Sequence, residues 1–464
     1  MHPVVATKPA TRMILALVCV SQFMVILDAS IVNVALPSIQ RELGFSATSL
    51  AWVVNGYLLT FAGLMLLGGR AADLFGHRRM LVSGLFVFSV ASLVAGLATE
   101  PAVLVAARVA QGVGAAMLAP ATLAVINTSF VQSRERARAF GAWSASGGLG
   151  GMAGAVVGGA LTTGLSWRWV FLLNVPIGAG LVVLALLSLA RPRPGRRASL
   201  DLTGAVTATA GLGAVIYGVM RSADHGWTKL PVAGPVVVGL LLLLAFVVVE
   251  ARFATEPMMP LRLFGIRRVA VGTAMLLLFG GIAIAMWYFT SLFLQNVLNY
   301  SALRAGLGQT PAAVMFVVVA RIAAALLSRT GVRPLMVVGC GGFVAGFGWL
   351  SQAAAGSGYV TSVLGPTLLI AAGIGLTFPT LMATVTSDVP EGDAGIIGGL
   401  STTASQVGGS VGLAALTTVA GGRIGTRSSA EALAAGYDLV FVVAAALGLA
   451  LAVVSTLLPK PDRG

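Results

Sequence analysis

The sequence predicts an all-α protein that crosses a membrane many times. Of its 464 residues, 57% are hydrophobic and 9% are charged, whereas soluble domains contain about 45–50% apolar and about 25% charged residues. The apolar residues form continuous runs without polar alternation, which disfavours a β-barrel. The 59 glycines suit helices in lipid, because small residues let transmembrane helices approach closely. These observations exclude a soluble domain and predict a polytopic helical membrane protein.

Apolar runs bounded by charges, proline and glycine predict fourteen transmembrane helices, since a helix needs about 20 mostly apolar residues to cross a bilayer. The first run is longer than a signal-peptide core and lacks a small-residue cleavage site behind it, so we expect it to remain as a helix. An even number of crossings places both termini on one side. The predicted spans are 13–37, 49–69, 79–98, 102–125, 138–162, 167–190, 201–221, 232–249, 270–294, 305–327, 334–354, 360–384, 395–420 and 436–458.

The distribution of basic residues predicts that both termini are cytoplasmic. Twenty of the 29 Lys and Arg residues lie in the termini and the loops on their side, seven lie in the opposite loops, and Arg108 and Arg321 lie within spans. Loops rich in Lys and Arg stay in the cytoplasm. Arg321 is near the inner end of its span, where we expect it to snorkel. Topology thus accounts for the net charge of +14, and we expect no nucleic acid partner.

A basic run, RPRPGRR at residues 191–197, separates six predicted helices from eight. We interpret it as an interdomain linker, and a patch for lipid headgroups or nucleic acid is the competing interpretation. The predicted organisation is an N-terminal six-helix bundle at 13–190, a basic cytoplasmic linker at 191–200, an inserted helix pair at 201–250 and a C-terminal six-helix bundle at 270–458.

Cysteine and histidine usage argues against metal or acid–base catalysis. Cys19 and Cys340 each lie in an apolar run, where a thiol behaves as a small hydrophobe, and they supply neither a disulfide framework nor a zinc site. The histidines, His2, His77 and His225, lie in predicted loops. No intramembrane metal cluster or histidine-based catalytic group is therefore expected. We expect a protein that is not an enzyme and holds no cofactor.

Asp28 is the one acid predicted to lie well inside an apolar run, and Arg108 is predicted at a similar depth. Burial of such residues costs about 2.5–3.5 kcal/mol on insertion scales, which marks them as functional candidates. At 1.5 Å per residue, Asp28 lies about 13 Å and Arg108 about 9 Å below the outer helix ends. If their helices face each other, the two charges would pair and act as a proton switch. The alternative is structural, with Asp28 accepting hydrogen bonds from the backbone or Asn33 and Arg108 fixing helix packing.

Uncharged polar and aromatic residues at membrane depth are candidates for lining a substrate cavity. For each residue taken singly, a hydrogen bond between helices or an anchor at the membrane interface is the favoured alternative. The candidates are Asn33, Asn55, Tyr57, Gln111, Trp143, Trp287, Tyr288, Gln295 and Gln406.

The predicted loop between helices two and three reads GGRAADLFGHRRML, in which glycines let two helix ends approach each other. Here the chain resembles the major facilitator superfamily, whose motif A is G-x-L-a-D-r-x-G-r-k-x-x-l. The resemblance implies a conformational role for this segment. The positions that match are Gly69, Asp73, Gly76, Arg78 and Leu81, and those that depart are Ala71, Leu74 and His77.

Two further segments also resemble motifs of this superfamily, and they contain the candidate proton-coupling residues. LVAARVAQGVGAAM matches the superfamily's motif B, l-x-x-x-R-x-x-q-G-x-g-a-a, at positions that include Arg108, Gln111 and Gly112. LDASIVNVALPSI is similar to the helix-one motif of the fourteen-helix drug:proton antiporter branch. The resemblance implies that Asp28 binds the coupled proton and that Arg108 takes part in coupling.

Predicted helix five resembles the antiporter motif C, G-x8-G-x3-G-P-x2-G-G, with alanine in place of its proline. Small residues on one face allow close crossing, and the missing proline removes an expected kink. SWRWVFLLNVPIG, SALRAGLGQTPAA and STTASQVGGSVGLAAL are also similar to family segments. The resemblance covers essentially the whole chain. The glycines of the motif are Gly141, Gly150, Gly154, Gly158 and Gly159, and the departure is Ala155.

The resemblance implies two six-helix major facilitator bundles that work by alternating access, with a substrate cavity near the midplane. We expect a monomer in the bacterial cell membrane that exports a hydrophobic or amphipathic small molecule, such as a drug or antibiotic, driven by a proton gradient. Predicted helices nine to thirteen hold no acid well inside, which favours neutral, anionic or monocationic substrates over dications. Proton-coupled uptake, lipid transport and a non-transporting receptor stay as alternatives.

Overall fold

The computed structural model describes residues 8–130, 132–189, 201–222, 225, 228–253, 259, 261–387, 389, 394–425 and 429–458, and its regular structure there is helical. The predicted linker at 191–200 lies outside the described residues. The helices are α1 (Lys8–Leu43), α2 (Ala47–Leu50), α3 (Trp52–Phe75), α4 (His77–Gly96), α5 (Pro101–Ser129), α6 (Ser133–Gly164), α7 (Trp169–Leu172), α8 (Asn174–Ser188), α9 (Leu202–Arg221), α10 (Leu230–Arg252), α11 (Arg267–Ile284), α12 (Thr290–Leu292), α13 (Ala302–Thr330), α14 (Val332–Leu350), α15 (Gly365–Thr386), α16 (Ala394–Ile424) and α17 (Ala430–Ser455).

Four short segments between these α-helices are 3-10 or π-helical. A 3-10 turn precedes α11, and π-helical segments flank α12 and precede α15. The segments are Leu261–Gly265, Ala285–Phe289, Phe293–Val297 and Val360–Leu364.

The chain is a multi-pass membrane protein. Among the described residues, 12 helical stretches are long and apolar enough to cross a membrane. The helices α6 and α16 have 32 and 31 residues and are long enough to cross, but their many glycine, serine and threonine residues make them less apolar. Fourteen crossings and cytoplasmic termini therefore stay predictions.

Two predicted helix ends are wrong. The helix α1 continues through Pro37 to Leu43, and α3 continues through Gly69 to Phe75. The break comes at Gly76, whose φ of 92° lies in a region that glycine adopts without a Cβ clash. The segment that matches motif A is therefore helical on both sides of Gly76 and does not form an extended loop.

A further acid, Asp438, also lies inside a helix that is long and apolar enough to cross a membrane. Asp438 lies eight residues after the start of α17 at Ala430, about 12 Å along the helix axis at 1.5 Å per residue. It is half-buried, and its Oδ1 atom is buried without a hydrogen-bond partner among the described residues. The predicted start of this helix at residue 436 lies six residues too late, which made Asp438 look like a residue at a span end.

Neighbouring helices pack in a pattern that places α9 between two distant parts of the chain. The helix α1 packs on α6, α3 and α4 pack on α5, and α11 packs on α16. The helix α9 contacts both α3 and α16, and α10 packs chiefly on α9.

We call residues 8–189 the N-terminal half and residues 261–458 the C-terminal half. The termini end of the molecule is the end where α1 begins and α17 ends, and the far end is the opposite one.

The two halves touch each other at the far end. A Cβ on Gly159 of α6 would lie 2.6 Å from the carbonyl oxygen of Ala302 in α13, so only glycine permits this approach. Leu303 N donates a hydrogen bond to Thr163 Oγ1 at 3.1 Å nearby. The structure is therefore closed at the far end.

Candidate functional site

A buried ion pair lies inside the N-terminal half. Asp28 on α1 and Arg108 on α5 are 0% and 1% exposed, and Arg108 Nη1 lies 2.5 Å from Asp28 Oδ2. Each charge lowers the cost of burying the other, provided that their remaining hydrogen-bonding atoms are also satisfied. The two helices therefore face each other and bring the two charges together.

The second carboxylate oxygen of Asp28 is held by two side-chain amides. Gln111 Nε2 and Asn174 Nδ2 donate to Asp28 Oδ1 at 3.1 and 2.9 Å. Both amides also donate to Ser92 Oγ, at 2.5 and 3.3 Å. The partners of both carboxylate oxygens are thus donors, so the hydrogen-bonding capacity of these buried acceptors is used.

Arg108 is fixed by contacts with α3 and with its own helix. Its Nε donates to Val53 O at 2.8 Å, and its Nη1 donates to Gln111 Oε1 at 2.9 Å. The guanidinium carbon lies 4.4 Å from the centre of the Tyr57 ring, in reach of a cation–π interaction. The Tyr57 hydroxyl is buried and has no hydrogen-bond partner among the described residues.

The glycine after Gln111 lets α5 approach α3 closely enough for these contacts. A Cβ on Gly112 would overlap Thr60 Oγ1 and would lie 2.6 Å from Tyr57 O. Thr60 Oγ1 donates across the same contact to Val109 O at 3.0 Å. Gly112 therefore fixes the distance between the helix that carries Arg108 and the helix that carries Tyr57.

Protonation of this site would require a local rearrangement. A proton on Asp28 removes the charge opposite Arg108 and adds a donor where three donors already converge. An unpaired buried donor or charge costs about 1–3 kcal/mol or more. The contacts of Asp28 thus depend on the positions of α5 and α8, which carry Arg108 and Asn174.

The sequence identified part of this cluster and missed part of it. Asp28, Arg108, Gln111 and Tyr57 were all predicted candidates and lie together. Asn174 was missed, although it lies in SWRWVFLLNVPIG, and a buried amide in an apolar helix was the available signal. Ser92 was missed because a single serine in an apolar helix usually bonds to its own backbone. The proton-coupling roles of Asp28 and Arg108 stay predictions.

The remaining polar candidates do not join this cluster. Asn33 and Gln295 lie where the two halves meet, and Asn55 Nδ2 points to Met220 Sδ of α9 at 3.7 Å. Trp143 Nε1 donates to Thr122 Oγ1 at 3.3 Å within the N-terminal half.

The last candidates belong to the C-terminal half. Tyr288 is 1% exposed and packs edge-on against Phe289, with 5.0 Å between ring centres. Trp287 is half-buried, and its carbonyl accepts from Gln309 Nε2 at 3.3 Å. Gln406 is half-buried on α16. A role in lining a cavity stays a prediction for these residues.

The glycines of α6 pack against two different partners. Cβ atoms on Gly150 and Gly158 would lie 2.7 and 2.8 Å from Phe23 O and Ile31 O of α1, and one on Gly154 would lie 2.6 Å from Ser30 Cβ. These three glycines hold α6 against α1 within one half. Gly159, by contrast, contacts the C-terminal half, as described above.

The segment that matches motif A packs within the N-terminal half. A Cβ on Gly69 would meet Pro120 Cβ at 3.5 Å, and Arg78 Nη2 donates to Leu186 O at 2.9 Å. Asp73 belongs to α3, but its side chain lies outside the described residues. Arg321, expected to snorkel, is exposed on α13.

The chain matches a known protein family and is similar to named bacterial proteins. The family model described as Major Facilitator Superfamily matches residues 18–413. The chain is 48% identical to the cephamycin export protein CmcT of Amycolatopsis lactamdurans over 97% of this chain and 93% of that protein. It is 40% identical to the puromycin resistance protein pur8 of Streptomyces alboniger over 88% and 81%. A solved auto inhibited POT family peptide transporter shares the fold, with a TM-score of 0.69, 16% identity and 98% of each chain covered.

Proposed function

The chain belongs to the major facilitator superfamily, and we propose that it exports a hydrophobic or amphipathic small molecule from the bacterial cell in exchange for protons. The Asp28–Arg108 pair carries this proposal, because it is a titratable group held in a charge-dependent cluster inside a membrane bundle. The names of two relatives support the substrate class, since cephamycin and puromycin are small-molecule antibiotics.

The cycle that we propose uses alternating access of a cavity between the halves. With fourteen crossings and cytoplasmic termini, the far end faces outwards, and the closed far end corresponds to a state that takes up substrate from the inside. After the far end opens, a proton from outside neutralises Asp28 and releases Arg108. The substrate leaves, the far end closes, and the proton departs inwards as Arg108 pairs with Asp28 again.

The charge of the substrate follows from the residues available to bind it. The described residues of α11 to α16 include no Asp or Glu, and Asp28 is engaged by Arg108 and two amides. A dication would therefore meet few partners in this part of the C-terminal half. We propose neutral, anionic or monocationic compounds as substrates.

Transport into proteoliposomes with an imposed pH gradient tests the proposed function. Purified protein is reconstituted and tested with a cephamycin such as cefoxitin and with puromycin, at equal and unequal pH across the membrane. Antiport predicts that substrate moves in the direction opposite to the downhill flow of protons. It also predicts that Asp28→Asn loses the flux driven by the pH gradient. Cys19→Ser, a half-buried residue of the same helix, is the matched control. Flux that ignores the pH difference, or that follows the protons inwards, would overturn proton antiport.

A further inference from the structure

A proline leaves one backbone carbonyl of α1, in the part of the helix near the far end, without its usual N–H partner. Proline has no N–H, so Pro37 cannot donate to Asn33 O, its partner four residues earlier in the helix. The helix nevertheless continues to Leu43. Asn33 O accepts instead from Ser291 Oγ of the C-terminal half at 3.1 Å. The acceptor that proline leaves open is thus satisfied from the opposite half of the protein.

The next carbonyl of α1 is held by a neighbouring side chain. Gln295 Nε2 donates to Val34 O at 3.0 Å and to Ser291 Oγ at 3.2 Å. Ser291 is 0% and Gln295 9% exposed, so water competes little for these bonds. Two consecutive carbonyls of one half are therefore bound by two linked side chains of the other.

The helix that carries these side chains is irregular at this place. Ser291 lies in the short α12, and π-helical segments precede and follow it. Such π turns are rare and occur frequently at functional sites. Gln295 lies in the second of them, four residues after Ser291. Because both bonds reach α1 from one short stretch, the two side chains act on the same part of that helix.

An apolar contact lies directly beside these hydrogen bonds. Val34 forms a small buried cluster with Ala155 of α6 and Ala302 of α13. The cluster joins both halves at the far end, close to the glycine contact between α6 and α13. Opening of the far end must therefore separate an apolar contact and two hydrogen bonds together.

We infer that Ser291 and Gln295 hold the far end closed through Asn33 O and Val34 O, and that Pro37 keeps Asn33 O available for this purpose. We call these groups the far-end latch. The inference rests on the proposed alternating access. Asn33 lies five residues after Asp28 on the same helix, about 8 Å along its axis. Rearrangement around Asp28 therefore acts on the segment of α1 whose carbonyl groups the latch binds.

Distances between spin labels at the far end test the latch without substrate or a proton gradient. Labels at Thr99→Cys and Ala354→Cys, both exposed far-end positions in different halves, are measured by pulsed EPR in lipid nanodiscs. Cys19 and Cys340 are replaced by serine in this background. Ser291→Ala and Gln295→Ala should each increase the ratio of long to short distances by about fivefold, as expected for loss of one hydrogen bond. Pro37→Ala should shift the ratio in the same direction, because this variant restores a backbone N–H that competes for Asn33 O.

Two further variants separate the latch from a general loss of structure. Ser291→Thr keeps the hydroxyl and should retain the parental distances. Ser455→Ala, a buried serine that bonds its own helix through Ala452 O, should also leave them unchanged. Parental distances in Ser291→Ala and Gln295→Ala would overturn the latch, and parental distances in Pro37→Ala would overturn the role of proline.

The outcomes for the latch and for the proposed function are distinguishable. If proteoliposomes show no proton-driven export but the distances lengthen in the latch variants, the proposed function fails and the latch stands. If proton-driven export is present but the distances do not change, the latch alone fails.

Discussion

Asp28 and Asn174 lie 146 positions apart in the sequence and are joined by a 2.9 Å hydrogen bond inside the N-terminal half. This bond connects α1 to α8, while the ion pair with Arg108 connects α1 to α5. One carboxylate thus ties together three helices of the same half. A change in its charge would therefore alter contacts with all three helices.

Removal of the Asn174 amide should destabilise the protein measurably. In Asn174→Ala, Asp28 loses one of its two amide donors, and loss of a hydrogen bond to a buried charged group costs about 1.5–3 kcal/mol. We expect a lower free energy of unfolding and a lower midpoint in thermal unfolding in detergent. Asn296→Ala is the control, because that amide is half-buried and bonds the neutral Tyr437 hydroxyl at 3.3 Å. Equal losses in the two variants would contradict a special role for the bond to Asp28.

The ion pair predicts a non-additive response to mutation. Asp28→Asn leaves Arg108 as an uncompensated buried cation, and removal of one partner of a buried pair costs about 3–5 kcal/mol. Arg108→Gln leaves the carboxylate without its cation and should cost a similar amount. The double variant removes both charges and should be more stable than either single variant, as measured by thermal unfolding in detergent.

Transport separates the structural role of this pair from its proposed coupling role. The double variant should recover stability but still lack pH-driven export, since no group remains that binds the proton. Additive losses of stability would show that the two residues act independently. Export driven by a pH difference in the double variant would assign proton coupling to other residues, of which the half-buried Asp438 is the first to test.

The features that were predictable from the sequence share a local signal. The apolar runs predicted the long helices, and charges at membrane depth identified Asp28 and Arg108 as a candidate pair. The features that were missed depend on distant partners. Pro37 marked a helix end by its own chemistry, but Ser291 supplies a donor to Asn33 O from the other half. Likewise, Ser92 and Asn174 become site residues only because α4 and α8 pack together and α8 packs beside α1.

Two glycines give a matched test of helix packing in the N-terminal half. In Gly112→Ala, the new Cβ meets Thr60 Oγ1 and Tyr57 O, and overpacking of this kind costs about 1–3 kcal/mol. Gly141→Ala is the control, because its Cβ meets nothing within 4 Å and helical alanine is favoured over glycine by about 1 kcal/mol. We expect thermal unfolding midpoints below the parent for Gly112→Ala and at or above it for Gly141→Ala. The reverse order would show that α3 and α5 do not require this close approach.

Motif C has a proline at the position of Ala155. We expect the substitution Ala155→Pro to cost less stability than proline usually costs inside a helix. A proline inside a helix costs about 3 kcal/mol or more, because it removes an N–H and crowds the carbonyl four residues earlier. That carbonyl is Gly151 O, which already accepts from Ser30 Oγ of α1 at 2.7 Å. Ala155→Pro therefore leaves Gly151 O with a donor, as Pro37 leaves Asn33 O with Ser291. Because the proline ring must still fit at a buried position, we expect its midpoint in thermal unfolding to fall below that of the parent, but by less than for a proline without such a donor.

The contribution of Ser30 is isolated by two comparisons. Ala153→Pro changes the same helix two residues earlier, where Leu149 O accepts no described side-chain hydrogen bond, and should lower the unfolding midpoint much more than Ala155→Pro. Ser30→Ala combined with Ala155→Pro leaves Gly151 O without a donor, and its loss of stability should exceed the sum of the two single losses by about 1 kcal/mol. Additive losses would show that the hydroxyl of Ser30 does not compensate for the missing N–H, and that the helix instead bends to accommodate proline.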